Sequence, residues 1–292
     1  MSGPPPDIAF VVNQPPRPGT RAQRSITMPA PTALARIAAE VGTPFYCYST
    51  ATLARHVAVL REALSPLDPL LCFAVKASSN IAIIRTLRDC GMGADVVSEG
   101  EIRAALAAGV SPDRIIFSGV GKTREEMGFA LATGIFQFNV ESDRELYALS
   151  EVATSLGKTA RIALRVNPDV DAATHAKIST GKKENKFGVA IDEAPALYAL
   201  AATLPGIKVS GISMHIGSQL TSLDPFRAAF ARARAFLEQL RADGFAIDTL
   251  DIGGGLVAQQ LEDGVVLAVD RQQPASVLTS RGDDEFSGQH ED

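Results

Sequence analysis

Cysteine and histidine are scarce in this sequence, and their spacing excludes the usual disulfide and metal scaffolds. The 292 residues include four histidines and three cysteines, Cys47, Cys72 and Cys90. An odd number of cysteines without ligand spacing predicts neither a disulfide framework nor a zinc site, so no metal is expected. Cys72 lies in an apolar run, where a buried thiol is the ordinary interpretation. This usage of cysteine favours a reducing cytoplasm.

Long apolar runs and an excess of positive charge are missing as well. No stretch reaches the roughly 18 apolar residues that a membrane-spanning helix needs, and residues 1–31 contain no apolar core of a signal peptide. The formal net charge of -5 offers no basic surface to the phosphates of a nucleic acid. Membrane insertion, secretion and nucleic-acid binding are therefore not expected, whereas 46% hydrophobic residues suffice for a globular core.

Three segments of the chain differ in composition. Residues 1–30 carry repeated prolines, which deny this segment a stable helix or central strand and predict a disordered leader. Residues 31–256 alternate short apolar runs with stretches rich in alanine and leucine, which is typical of a packed α/β domain. Residues 257–292 form a polar and acidic tail without helical or strand rhythm beyond "GVVLAV" at 264–269.

Seven short apolar runs in the middle segment predict parallel strands. The runs are rich in branched side chains and apolar on both faces, which suits strands covered by helices. The stretches between them open with acids and end at glycine, as helices do. The runs are PLLCFAVK (69–76), MGADVVS (92–98), RIIFSG (114–119), FQFNV (136–140), RIALRVN (161–167), VSGISMHIG (209–217) and TLDIGGG (249–255).

Reactive side chains cluster at the C-terminal ends of these runs. A closed (β/α)8 barrel gathers all such ends at one mouth, whereas an open doubly wound sheet would collect only those near its switch point. The clustering therefore predicts a (β/α)8 barrel. The residues concerned are Lys76, Asp95, Ser98, Ser118, Asn139, Glu141, Arg165, Asn167, His215, Ser218 and the glycines 253–255.

The eighth strand of this barrel has no ordinary candidate. "GVVLAV" is apolar enough, but eight residues separate it from Gly255, and a parallel crossover needs about a dozen. We therefore predict an incomplete barrel with free edges on its first and seventh strands, which would favour aggregation.

Two side chains at the predicted mouth can act on a cofactor, and each has an ordinary alternative. Lys76 follows four apolar residues, where desolvation would lower its pKa and free the amine for a Schiff base, unless the side chain simply reaches water. His215, in "SMHIGSQ", can stack on a flat cofactor or serve as a satisfied structural histidine. A metal role for His215 is disfavoured because no second ligand lies at the right spacing.

Glycines end the sixth and seventh runs and complete the candidate site. "IGS" at 216–218 and "GGG" at 253–255 offer backbone N–H groups to one anion, although glycine also serves tight turns. The long polar connection at 169–188 is either a solvated loop or a source of substrate contacts. A lysine, a ring and an anion cradle together describe a site for pyridoxal phosphate.

Six motifs carry a resemblance to a known family. FAVKAS, GADVVSEGEI, RVNP, KISTGKKENKFG, HIGSQ and DIGGGL stand in the order and spacing of the diaminopimelate decarboxylases, and the resemblance covers residues 31–256. This family contains barrel-type enzymes of lysine biosynthesis, with the alanine racemase-like barrel of fold type III. The resemblance implies pyridoxal 5'-phosphate as cofactor and the conversion of an amino-acid substrate, meso-2,6-diaminopimelate, to L-lysine and carbon dioxide.

The resemblance also implies the roles of individual residues. Lys76 would form the Schiff base with the cofactor, and His215 would stack on its pyridine face, so these two are the expected catalytic residues. Asp95 and Arg165 would lie near the cofactor as supporting residues. The expected phosphate contacts are Ser218, Gly253, Gly254 and Gly255. A homodimer is implied as well.

The sequence departs from the family after Leu256. The family continues with a Glu-Pro-Gly-Arg motif and a β-domain, and residues 257–292 contain neither. We interpret the change as a truncation or a shifted reading frame, which would leave this chain with little activity and an incomplete dimer interface. The alternatives are a non-catalytic pyridoxal phosphate-binding barrel and an inactive remnant.

Overall fold

A curled wall of seven parallel strands, alternating with helices, organises the protein. The computed structural model describes residues 9–12, 31–170, 187–218, 220, 222–255 and 265–268. Within them the predicted α/β barrel is confirmed. The predicted leader apart from 9–12, most of the connection at 169–188, and the predicted tail apart from 265–268 lie outside the described residues.

Each of the seven predicted runs contains one strand of the barrel wall. The wall strands are β3 (Leu70–Ala74), β4 (Gly93–Val96), β5 (Ile115–Phe117), β6 (Gln137–Val140), β7 (Ala160–Asn167), β9 (Ile207–Ser213) and β10 (Thr249–Asp251). The remaining described strands are β1 (Ala9–Val12), β2 (Tyr46–Ser49), β8 (Val189–Ala190) and β11 (Val265–Ala268). The described helices are α1 (Pro31–Val41), α2 (Thr50–Ala63), α3 (Ile81–Asp89), α4 (Glu99–Ala107), α5 (Arg124–Thr133), α6 (Asp143–Ser155), α7 (Ala194–Thr203) and α8 (Asp224–Ala242).

The wall strands pair in parallel in the order β3-β4-β5-β6-β7-β9-β10. Strand β11 lies between β3 and β10 and runs antiparallel to both, with Val266 opposite Cys72 and Ala268 opposite Asp251. A short connection permits antiparallel pairing although it cannot make a parallel crossover. The free edges predicted for the first and seventh wall strands are therefore a wrong expectation, because β11 pairs with each of them.

Alternation along the strands gives the wall two different faces. The outer face carries large apolar side chains, such as Phe117 and Leu164, which are buried against the helices and form the main core. The inner face also carries polar side chains: Asp95, Gln137 and Asp251 are all buried. The register places Asp251 beside Ser213, and it places Ile116 between Asp95 and Gln137. The prediction of strands that are apolar on both faces is therefore wrong for the inner face.

Helix caps fix where the loops at the mouth end. The side chains of Asn80, Ser98 and Ser142 accept hydrogen bonds from backbone N–H groups in the first turns of α3, α4 and α6. Thr123 and Glu126 form a capping box at the start of α5. Because these helices begin soon after β3, β4, β5 and β6, their N-termini all lie at the C-terminal end of the barrel.

A small ribbon lies outside the wall. The run Ala9–Val12 pairs antiparallel with Tyr46–Ser49 in a separate two-stranded sheet. These four apolar residues lie between the proline clusters of the segment at 1–30, so no proline interrupts their pairing.

Candidate active site

All of the predicted site residues lie at the C-terminal end of the barrel, which we call its mouth. Each follows or ends a wall strand: Lys76 after β3, Asp95 in β4, Arg165 in β7, His215 after β9 and Gly253 after β10. Parallel strands present their C-terminal ends at the same edge, which is where barrel enzymes hold their substrates. Functional groups that follow successive strands in the sequence therefore surround one opening in the structure.

Lys76 lies in a short 3-10 turn, Val75–Ala77, directly after β3. The residue is exposed, so the predicted desolvation of its amine is wrong. Burial raises the pKa values of Asp95 and Glu101, and the charge of Lys76 opposes both shifts. The same charge adds to the lowering of the pKa of His215, which burial dominates. Lys76 is therefore an accessible, charged group at the mouth.

His215 lies against the glycines that follow β10. The backbone N–H of Gly254 donates to His215 Nδ1 at 3.4 Å. Burial, followed by the positive charges of Arg165 and Lys76, lowers the pKa of His215 to about 3. The ring is therefore neutral at physiological pH, and its Nδ1 is an acceptor in this arrangement.

The glycines at the mouth allow two loops to approach more closely than other residues could. Gly253 and Gly255 have φ of 67° and 100°, which side chains disfavour. A Cβ on Gly253 would lie 2.4 Å from the carbonyl oxygen of Met214, and one on Gly255 would lie 1.9 Å from that of Gly217. The loops after β9 and β10 therefore form one continuous edge of backbone, which we call the glycine edge (residues 214–218 and 252–255).

Ser218 lies on this glycine edge and is exposed. Leu220 N–H donates to the carbonyl oxygen of Gly255 at 2.8 Å, which links the loop after β9 to the loop after β10 next to Ser218. Ser218, Gly254 and Gly255 thus lie along the same edge, whereas Gly253 is buried beneath it.

Asp95 lies deeper than Lys76 and has an unusual acidity. Ser118 Oγ donates to Asp95 Oδ1 at 2.6 Å. Burial, followed by the negative charge of Asp251, raises the pKa of Asp95 to about 7, although the hydrogen bond from Ser118 and the charges of Lys76 and Arg165 oppose the shift. Asp95 therefore exchanges its proton near neutral pH.

Arg165 is held by an acid that the sequence had placed only at a strand end. Its Nη1 lies 3.1 Å from both carboxylate oxygens of Glu141. Glu141 Oε1 also accepts from Gly119 N–H at 3.1 Å. Next to this pair, the buried ammonium of Lys122 donates to Glu145 Oε1 at 2.7 Å. These two ion pairs join the ends of β5, β6 and β7 on one side of the mouth.

Asp251 is the main site residue that the sequence analysis missed. It is 1% exposed, and its Oδ1 accepts from Gly253 N–H at 2.9 Å. Its Oδ2 accepts from Asn139 Nδ2 at 2.7 Å and from Ser213 Oγ at 3.2 Å. An acid at the end of an apolar strand, two residues before the first of the glycines, was the available signal.

A family of known proteins matches most of this chain. The family model of the pyridoxal-dependent decarboxylases, pyridoxal binding domain, matches residues 50–290. The chain belongs to this family. The resemblance on which the expected roles rest is thereby confirmed at the level of the family.

Individual relatives carry more specific names. Diaminopimelate decarboxylase of Pseudomonas aeruginosa is 50% identical over 238 residues, which are 82% of this chain and 57% of that protein. The enzyme of the same name from Haemophilus influenzae is 51% identical over 221 residues, which are 76% of this chain and 53% of that protein. The chain thus spans little more than half the length of these curated relatives.

Solved structures agree with the fold. The structure of Helicobacter pylori diaminopimelate decarboxylase complexed with L-lysine has 41% sequence identity and a TM-score of 0.68, and the match covers 73% of this chain and 54% of that chain. The M. jannaschii enzyme in co-complex with L-lysine has 35% identity and a TM-score of 0.69, with 76% and 53% covered.

The cofactor of this family is pyridoxal 5'-phosphate, and the mouth suits it. The exposed amine of Lys76 suits the aldehyde, and the neutral ring of His215 suits a flat aromatic face. The absence of side chains at Gly253 and Gly255 lets the two loops of the glycine edge meet at the mouth, and exposed backbone of such loops suits a phosphate. None of the described helices is long and apolar enough to cross a membrane.

Proposed function

We propose that this chain carries the cofactor site of a pyridoxal phosphate-dependent decarboxylase that converts meso-2,6-diaminopimelate to L-lysine and carbon dioxide. The observation that supports the proposal is the meeting of Lys76, His215 and the glycine edge at one mouth, in a member of the decarboxylase family. The substrate and product are inferred from the names of the relatives and from the L-lysine bound to the Helicobacter pylori enzyme.

The residues divide the work of holding the cofactor. Pyridoxal phosphate, when bound, supplies the electron sink that stabilises the negative charge left when a carboxylate departs as carbon dioxide. Lys76 would hold the aldehyde end through its exposed amine, and the neutral ring of His215 would pack against the flat ring. The Ser218 hydroxyl and the glycine edge would hold the phosphate; the N–H groups of Gly253 and Gly254 already donate to Asp251 and His215, so they would have to be shared or released.

Two charged groups complete the proposed site. Arg165 provides a fixed positive charge, because Glu141 holds one end of its guanidinium. Asp95 holds or releases a proton near neutral pH.

A homodimer and a cytoplasmic location remain predictions for this chain. The three described cysteines are free, which agrees with a reducing compartment.

The test uses purified protein, added pyridoxal phosphate and meso-2,6-diaminopimelate, with Lys76→Ala as the variant. We expect the wild type to show the visible absorption band of bound cofactor and to release carbon dioxide, and Lys76→Ala to lose both. Because Lys76 is exposed, its removal should change the free energy of unfolding by no more than about 0.5 kcal/mol. Lys208→Ala, an exposed lysine at the other end of the wall, should behave as wild type.

Other outcomes separate the alternatives. A cofactor band that depends on Lys76 without any carbon dioxide would identify a non-catalytic pyridoxal phosphate-binding barrel and exclude decarboxylation by this chain. A wild type without a band would contradict the proposed cofactor site itself.

A further inference from the structure

A chain of hydrogen bonds crosses the interior of the barrel beneath the mouth. Asn139 Nδ2 donates both to Ser118 Oγ, at 3.0 Å, and to Asp251 Oδ2, at 2.7 Å. Ser118 Oγ in turn donates to Asp95 Oδ1. Strands β6 and β10 are not neighbours in the wall, so the bond between Asn139 and Asp251 spans the interior instead of following the sheet.

The two ends of this chain reach opposite parts of the proposed cofactor site. At one end Asp95 is a supporting residue of the site. At the other end Asp251 receives Gly253 N–H through its side chain and Met214 N–H, at 2.9 Å, through its carbonyl oxygen. Asp251 therefore connects the loop after β10 with the loop that carries His215.

Within this series of hydrogen bonds, Asn139 is the group that donates both toward Asp95, through Ser118, and toward Asp251. Its amide oxygen accepts from Gln137 Nε2 at 3.0 Å, which fixes the orientation of the amide. Its Nδ2 then donates to the Ser118 hydroxyl, whose own proton goes to Asp95, and to an Asp251 oxygen that also accepts from Ser213 Oγ. Asp251 and Asn139 are 1% and 3% exposed, so water does not replace a lost donor without rearrangement.

We propose that the hydrogen bond between Asn139 and Asp251 is a brace across the barrel that positions the glycine edge relative to Asp95. Asn139 and Asp251 are then positioning residues for the cofactor, which they do not need to touch. The inference rests on the proposed cofactor site, but the brace itself is a property of the protein without cofactor.

The test exchanges the two partners. Asn139→Asp places a carboxylate against Asp251. Asp251→Asn leaves one acceptor oxygen, which can face either Gly253 N–H or Asn139, so each single change breaks the link from Asn139 to Gly253. The double variant Asn139→Asp/Asp251→Asn restores a donor and an acceptor in the reverse direction. At about pH 6 Asp95 carries a proton that it can donate to Ser118, which then donates to the new carboxylate.

Two readouts are used. The first is the Kd for pyridoxal phosphate, from titration of the visible absorption band. The second is the rate of amide hydrogen exchange of residues 252–255 in cofactor-free protein. Because the bond is buried, its loss should change each readout by about tenfold or more in the single variants. The double variant should return to within about threefold of the wild type.

The matched control is Asp248→Asn. Asp248 lies just before β10, at the opposite end of the barrel, where it pairs with Arg161. This change lowers stability without touching the brace, so it should leave both the Kd and the exchange of residues 252–255 unchanged.

Each result decides the proposal. Single variants within about twofold of wild type, or a double variant no better than the singles, would overturn it, as would an equal effect of Asp248→Asn. If the single variants do not fold, a double variant that folds and exchanges like the wild type at Gly253 and Gly254 supports the brace, and a double variant that also fails to fold overturns it. If the wild type binds no pyridoxal phosphate, the proposed function fails, and the exchange rates alone still decide the brace.

Discussion

The two ends of the barrel employ the same strand and the same residue type for different purposes. Arg161 and Arg165 lie four residues apart on β7 and face the same side. At the base, Arg161 pairs with Asp248 and lies over the ring of Phe136, 4.9 Å from its centroid. At the mouth, Arg165 pairs with Glu141, which is joined to the end of β5 as well.

The difference between these two ion pairs lies in the solvent exposure of the acid. The side chain of Asp248 is 26% exposed, whereas that of Glu141 is 1% exposed. Water can solvate the acid at the base if its partner is lost, but it cannot reach the acid at the mouth. The ion pair at the base can therefore lose one partner at small cost in stability, whereas each charge of the pair at the mouth needs the other.

The largest effect is expected when the two arginines are replaced in parallel. Arg165→Met should lower the free energy of unfolding by about 3–5 kcal/mol, because it leaves the buried carboxylate of Glu141 without its positively charged partner. Arg161→Met should lower it by about 1 kcal/mol. Urea denaturation of both cofactor-free variants measures the difference. Equal losses would show that the exposure of the acid does not decide the outcome and would break the comparison.

A somewhat smaller effect is expected from a methyl group on the glycine edge. Gly255→Ala combines a disfavoured φ with a Cβ 1.9 Å from the Gly217 carbonyl oxygen, which should cost about 3 kcal/mol and prevent cofactor binding. Gly244→Ala is the matched control at the base: its φ is 91°, but no atom lies within 4 Å of the new Cβ. It should cost about 1–2 kcal/mol.

Thermal or urea denaturation, together with cofactor titration, separates these two glycines. If Gly244→Ala lost as much stability as Gly255→Ala, the backbone angle alone would explain both, and the close approach of the two loops at the mouth would have no energetic role.

The smallest effect concerns the dependence of stability on pH, which two mouth residues influence in opposite directions. His215 has a lowered pKa, about 3, so only the unfolded chain binds this proton at about pH 5–6, and His215 makes stability rise with pH there. Asp95 has a raised pKa, about 7, so only the folded chain holds this proton, and Asp95 makes stability fall with pH. The two contributions offset each other.

Replacing His215 removes its contribution to the pH dependence of stability and leaves that of Asp95. In His215→Asn, the free energy of unfolding should change relative to the wild type by about 1.4 kcal/mol for each pH unit, in favour of the lower pH, between about pH 5 and 6. Urea denaturation at those two pH values measures it. Arg161→Met, at the base, should keep the slope of the wild type; a slope for His215→Asn equal to that of the wild type would contradict the assignment.

Much of the wall and the site follows from local sequence. The seven runs each contain a wall strand, because period and flanking glycines act over a few residues. Lys76, His215 and the glycines were found because each follows an apolar run directly. The role of Asp251 was not found, because its partner Asn139 lies 112 residues away in the sequence. No local pattern records such a contact.

The sequence by itself determined the order of strands and helices and which reactive groups stand at the strand ends, since both depend on neighbours along the chain. The tertiary structure decided the rest. It made the inner face of the wall polar, left Lys76 exposed, placed β11 antiparallel between β3 and β10, and brought Asn139 to Asp251. These outcomes depend on the curling of the wall, which brings together strands that are distant in sequence and leaves buried polar groups to satisfy one another.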